Sequence, residues 1–282
     1  MLLSQRDGEG HSIIGVRDIS VGPDTAALLP GIFLLFPKGD RPSRKNVIDR
    51  FAGSNRIFVS HDPHRADQRS ALGTIRNERS EDDCWLEVLC DGLTFDLLGL
   101  DGGPPLAPGE TAYSFGTGGG PDPADLEAVG LFPGPHLCEG ANSLPVVRTM
   151  LAIAMEMLDE FTECRLLVWS PARAAMSPDF LCRVGGEWLE GGAFPALGMV
   201  GYHIDEDGAL LSEGLAFLVG SEIAIAPKLA RDRIGATRLA VRIVHLLVGS
   251  EPLRHVLTFE FEERALVLRP DQDRHLIHIE PA

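Results

Sequence analysis

Five polar side chains stand inside otherwise apolar stretches of this sequence, and they are its most suggestive chemical feature. Asp96 lies in TFDLLGL, His203 in VGYHID, Glu213 just before GLAFLVGSEIAI and Glu222 within it, while Arg173 follows the apolar run that ends at Trp169. Strand alternation gives each a solvent-facing explanation. Gathered on one sheet face, Asp96, Arg173, His203, Glu213 and Glu222 would instead line a polar pocket able to bind or turn over a small molecule. No catalytic role attaches to any one of them.

The other candidates are weaker. Phe115–Gly120, FGTGGG, offers consecutive backbone N–H groups of the kind that cradle a phosphate. No Lys-Ser/Thr follows it, GxGxxG spacing is absent, and Asp122 and Asp125 carry the wrong charge for an anion. No Lys or Arg occurs between Arg79 and Arg148. A connector without a nucleotide is expected, and no cofactor. His61-Asp62-Pro63-His64, with Asp67 nearby, presents two imidazoles and two carboxylates. No second ligand cluster accompanies them, so a polar loop is expected and no metal. His275 and His278 are three apart in an expected strand, which sends them to opposite faces. GxSxG and SxxK motifs are absent, which leaves only a triad assembled in space, from Cys182 or Ser170 with His203. The string LVGSE occurs twice, ending at Glu222 and Glu251, first between expected strands and then at a helix end.

The elements that must position these residues follow from periodicity. Ile32 to Phe36 reads as a buried strand stopped by Pro37, Ser43 caps a short helix carrying Val47, Ile48 and Phe51, and Arg56 to Ser60 reads as a strand. Asp91-Gly92 separates two strand-like segments and predicts a two-residue hairpin, because both loop positions of a type I′ turn need positive φ. Ser143 caps a long helix whose Val147, Met150, Leu151, Ala154, Leu158 and Phe161 form one stripe. A strand Leu166 to Trp169, a helix Pro178 to Trp188, and strands Leu197 to Ile204 and Leu210 to Leu218 come next, the last two joined at Glu206-Asp207-Gly208. A helix ending at Gly249 and two or three strands within Val256 to Ile279 complete the chain, and a weak strand pattern covers 12–19.

This order predicts an α+β fold of two related β-α-β-β-type halves, with mostly antiparallel sheets packed against helices. Residues 1–120 form the first half, the Gly/Pro-rich 121–145 a connector, and 146–282 the second half. Slight residue identity between the halves leaves coincidence as the alternative to duplication.

Ser212–Ile223, with Leu166–Val200 before it, resembles a bacterial family of uncharacterised α+β proteins. Its members carry a strand with a Gly-Leu/Met pair, a Gly-x-x-Glu-Ile-Glu segment, a helix and a C-terminal β region. The resemblance covers residues 166–282 and implies an intracellular α+β protein without implying a catalytic residue. Where members place a second Glu, this chain has Ala224.

Composition narrows the function classes. The 282 residues carry 25 Lys plus Arg against 41 Asp plus Glu, a formal net charge of −16 that repels nucleic-acid backbones and anionic membranes. A basic protein is the partner class this field suits. The opening residues lack a secretory pattern, apolar runs fall short of the ~20 residues of a membrane-spanning helix, and the five cysteines show no CxxC pairing. A cytoplasmic location with reduced thiols is expected. The leading expectation is a non-enzymatic interaction protein, of an adaptor or immunity-like kind. The alternative is a small-molecule binder or enzyme with its pocket between the halves.

Overall fold

A computed structural model describes residues 29–63 and 84–282. The expected strand at 12–19, and His64 and Asp67 of the expected polar loop, lie outside the described residues. The described chain is α+β, with two mostly antiparallel sheets packed against helices.

The first sheet is organised by β1, Ile32–Phe36, whose five apolar residues are buried on both faces. Such a strand needs a neighbour on each side. It pairs antiparallel with β6, Glu127–Pro133, and with β7, Leu166–Trp169. Beyond β6 lie β4 (Leu93–Leu98), β3 (Leu86–Cys90) and the edge strand β2 (Ile57–His61). Beyond β7 lie β8 (Ala174–Met176) and β5 (Tyr113–Phe115), so the order is β2-β3-β4-β6-β1-β7-β8-β5. The Asp91-Gly92 hairpin forms as expected, with φ of 51° and 82° and the register Leu89↔Thr94.

Two expectations change here. The stretch 121–145 contains β6, a central strand, because Ala128, Val129, Leu131 and Phe132 supply apolar contacts to both faces of the sheet. The two β-α-β-β runs also do not build one sheet each: β7 and β8 join the first sheet, whereas the strands that follow them join the second.

That second sheet has the order β12-β13-β14-β11-β10-β9, comprising β9 (Gly201–Ile204), β10 (Leu210–Glu213), β11 (Glu222–Ile225), β12 (Leu257–Phe261), β13 (Arg264–Asp271) and β14 (Leu276–Pro281). The β9 and β10 strands are each shorter than expected. Before β9 the chain makes a short kinked helical segment, Ala196–Met199, with Gly198 at φ 98°. After β10, Gly214 at φ 93° breaks the strand into a one-turn helix.

Helix α1, Arg44–Phe51, is capped by the Ser43 hydroxyl, which accepts from the Asn46 N–H at 3.2 Å. Helix α2, Leu144–Glu160, buries its whole expected stripe and also Val146, Ile153 and Met157. It is covered on a second side by α3, Pro178–Leu189, where Gly185 lets Leu151 approach. The post-β10 helix is α4, Leu215–Val219; α5 is Pro227–Ala230, and α6 is Arg233–Val248, ending at Gly249. One buried cluster runs from Ile32 and Leu34 through α2 to Ile223, Ile243 and Ile279, so the two sheets share a core. Among the described residues no helix is long and apolar enough to cross a membrane.

Candidate functional site

The five expected pocket residues divide three ways. Arg173, His203 and Glu213 meet where β5 and β8 of the first sheet approach β9 and β10 of the second. Glu222 lies one strand away and serves another purpose, and Asp96 stands on a different part of the first sheet.

The meeting is made by two glycines. Gly214 brings the end of β10 against the turn Ser170–Ala172; a Cβ on it would lie 2.6 Å from Ala172 Cβ. This close approach sets Glu213 beside Arg173, which leaves that turn in the left-handed region at φ 47°. Gly201 is the cross-strand partner of Glu213, and its missing side chain opens a slot filled by the Tyr113 ring; a Cβ there would lie 2.3 Å from two ring carbons. Tyr113 thereby reaches both neighbours.

Arg173 donates from Nε to Glu213 Oε1 at 2.5 Å and from Nη2 to Oε2 at 3.1 Å. Tyr113 Oη donates to Glu213 Oε2 at 2.8 Å and lies 2.8 Å from His203 Nδ1. A hydroxyl has one proton, and the carboxylate can only accept, so His203 Nδ1–H donates to Tyr113. His203 itself is exposed.

These contacts fix the protonation states. The Arg173 fork, and secondarily the Tyr113 hydroxyl, hold the Glu213 carboxyl below its ordinary value against a smaller opposing effect of burial. Burial first, and the bond to Glu213 second, push the Tyr113 phenol above its ordinary value. A carboxylate locked as an anion on both oxygens and a phenol that retains its proton are poor proton carriers. The arrangement is suited to bracing two sheets.

Glu222 is a helix cap. Its Oε1 accepts from the N–H groups of Gly214 at 2.8 Å and Ala216 at 2.9 Å, and its Oε2 from Leu215 at 3.2 Å and from the Ser212 hydroxyl. The carboxylate satisfies the donors that α4 would otherwise leave open at its start. Asp96 pairs across the sheet with Glu87, on the face opposite Phe95 and Leu97. Burial, with help from Glu87, pushes its carboxyl up to about 6, while His136 and His61 oppose the shift.

The remaining candidates also resolve into structure. The Ser170 hydroxyl donates to Leu29 O at 2.8 Å and accepts from Gly31 N at 2.9 Å, which removes it from any partnership with His203. Burial raises the Cys182 thiol, opposite to the needs of a nucleophile. Gly116 of the glycine loop packs on α3, where a Cβ would lie 2.6 Å from Phe180 Cβ. The His61 and Trp85 rings lie 5.4 Å apart, tilted by 35°, and Asp62 pairs with Arg44 at 2.5 Å. Among the described residues no group of three His, Cys, Asp or Glu is placed to hold a metal ion. Both LVGSE strings end helices: Gly220 closes α4 and Gly249 closes α6.

Two features were missed from the sequence. Tyr113 gave no signal, since it lies in a three-residue strand within a Gly/Pro-rich stretch. The second is an open groove of about 490 Å³ lined by Leu197, Arg233, Ile234, Thr237, Arg238 and Val241. Here a signal existed: Ile234 stands off the stripe of Ala236, Leu239, Ala240, Ile243, Val244 and Leu247 that α6 buries, and it is 68% exposed. No family model, curated protein or solved structure matches the chain.

Proposed function

We propose that this protein is a non-enzymatic, cytoplasmic interaction protein, of the adaptor or immunity-like kind, that binds another protein rather than nucleic acid or a membrane. The observation that carries this reading is the groove at Leu197 and α6. Two of its apolar side chains, Ile234 above all and Leu197, are presented to solvent, while the opposite face of the helix is buried in the core.

The brace at Arg173, Tyr113, His203 and Glu213 supports the same reading from the other side. Of the five polar residues that suggested a reaction centre, Arg173, His203, Glu213 and Glu222 are engaged by one another, by Tyr113 or in a helix cap, and Asp96 stands apart from them on another strand. The reading is tested by recovering the affinity-tagged chain from the cells that make it and identifying what co-purifies. The expected result is a protein that re-forms a complex of fixed stoichiometry when both components are purified. Recovery of nothing above a tag-only control sinks the reading.

A further inference from the structure

We propose that the groove between Leu197 and α6 seats an acidic, amphipathic peptide segment of a partner protein, with apolar side chains on Leu197, Ile234 and Val241 and carboxylates on Arg233 and Arg238. The proposal rests on the interaction reading above and names the partner chemistry at that site.

The apolar floor is built. Ile234, Thr237, Arg238 and Val241 follow i, i+3, i+4, i+7 spacing and form one stripe of α6. Across the groove, Leu197 is 37% exposed because the chain there is bent by Gly198, whose positive φ and contact with Met176 leave no room for a side chain. The bend holds Leu197 away from the core.

The charge around that floor runs against the rest of the molecule. Residues 227–248 contain Lys228, Arg231, Arg233, Arg238 and Arg242 and one carboxylate, Asp232, in a chain whose formal charge is −16. Asp232 is engaged as the N-cap of α6, accepting from the Ile234 N–H at 3.1 Å. Arg231, Arg233, Arg238 and Arg242 are exposed, and among the described residues none of their guanidinium groups forms an ion pair. The partner chemistry at the groove is therefore acidic, opposite in sign to the basic partner that the whole-chain charge suggests.

A local field of this kind selects by length. At physiological ionic strength charges are screened beyond about 8 Å, so a short peptide seated on this stripe responds chiefly to the arginines beside it. A longer nucleic-acid duplex or a bilayer meets a chain of net charge −16, and neither supplies apolar side chains at helical spacing to match Ile234 and Val241.

The test is selection from a displayed library of random 16-residue peptides on the whole wild-type protein. The two strongest binders are then measured by fluorescence anisotropy against wild type, Ile234→Asp and Arg238→Glu. The expected result is an enriched pool with net negative charge and apolar residues at i, i+3/i+4, i+7, bound at least about tenfold more weakly by each variant and more weakly in high salt. Circular dichroism checks that both variants melt as wild type does. They replace exposed side chains, so unchanged melting is expected; if either unfolds, Ile234→Ser and Arg238→Gln replace them. A neutral or basic pool, binding unaffected by the variants, or equal binding of a DNA duplex or of phosphatidylglycerol vesicles overturns the proposal. If a cellular partner is recovered equally by wild type and by Arg238→Glu, the groove assignment fails while the interaction reading stands.

Discussion

Tyr113 Oη donates to Glu213 Oε2 at 2.8 Å, and this single bond joins the edge strand of one sheet to a strand of the other across 100 positions of sequence. Both members also hold a second partner, His203 and Arg173, so the contact is the middle of a four-residue brace. Hydrogen bonds to a charged group contribute about 1.5–3 kcal/mol, so Tyr113→Phe and Glu213→Gln are each expected to destabilise the fold by about 1–3 kcal/mol. Denaturant unfolding of both single variants and the double variant should give a coupling of about 0.5–3 kcal/mol. Strict additivity would mean that the two side chains do not support one another.

Asp96 and Glu213 respond to pH in opposite directions. Glu213 is held below its ordinary value, so its contribution is full above about pH 4.5 and lost as pH falls through its lower folded value. Asp96 is raised from 3.8 to about 6, so between those values the folded chain binds the extra proton and stability declines as pH rises. Asp96→Asn is expected to remove that decline and to add about 1–3 kcal/mol at pH 7. Urea unfolding at several values between about pH 4 and pH 7 checks it; a difference between variant and wild type that does not change with pH contradicts the assignment.

Leu151 lies at the crossing of α2 and α3, where its Cδ2 would stand 3.1 Å from a Cβ at Gly185. It is fully buried, and its removal leaves a cavity between two helices that Gly185 cannot fill. Leu151→Ala should cost about 2–5 kcal/mol in chemical denaturation. A loss under about 0.5 kcal/mol would show that the face is not packed.

The turn between β12 and β13 places two non-glycine residues in the left-handed region, Glu262 at φ 47° and Glu263 at φ 64°. Asp91-Gly92 meets the same demand with residues suited to it. Replacing Glu262-Glu263 by Asn-Gly is therefore expected to stabilise the protein by roughly 1 kcal/mol. A thermal melt that falls instead would mean that the glutamates make compensating interactions in solution.

The sequence determined by itself whatever depends on neighbours along the chain. The Asp91-Gly92 hairpin, the Ser43 cap and the buried stripe of α2 are local, since turn chemistry and periodicity act over a few residues. The acidic total and the α+β class belong with them. Only the tertiary structure decided which strands share a sheet, because β1 and β7 pair across more than a hundred residues and register between distant strands leaves no trace in local pattern. It also decided the fate of the polar candidates: Glu213 meets Arg173 because Gly214 allows a close backbone approach, Glu222 folds back onto N–H groups six to eight residues before it, and Asp96 faces elsewhere. Ile234 shows the boundary between the two. Its place off the buried stripe was written in the spacing of α6, but that it forms one wall of a groove depends on Leu197, which a glycine bend in another part of the chain sets beside it.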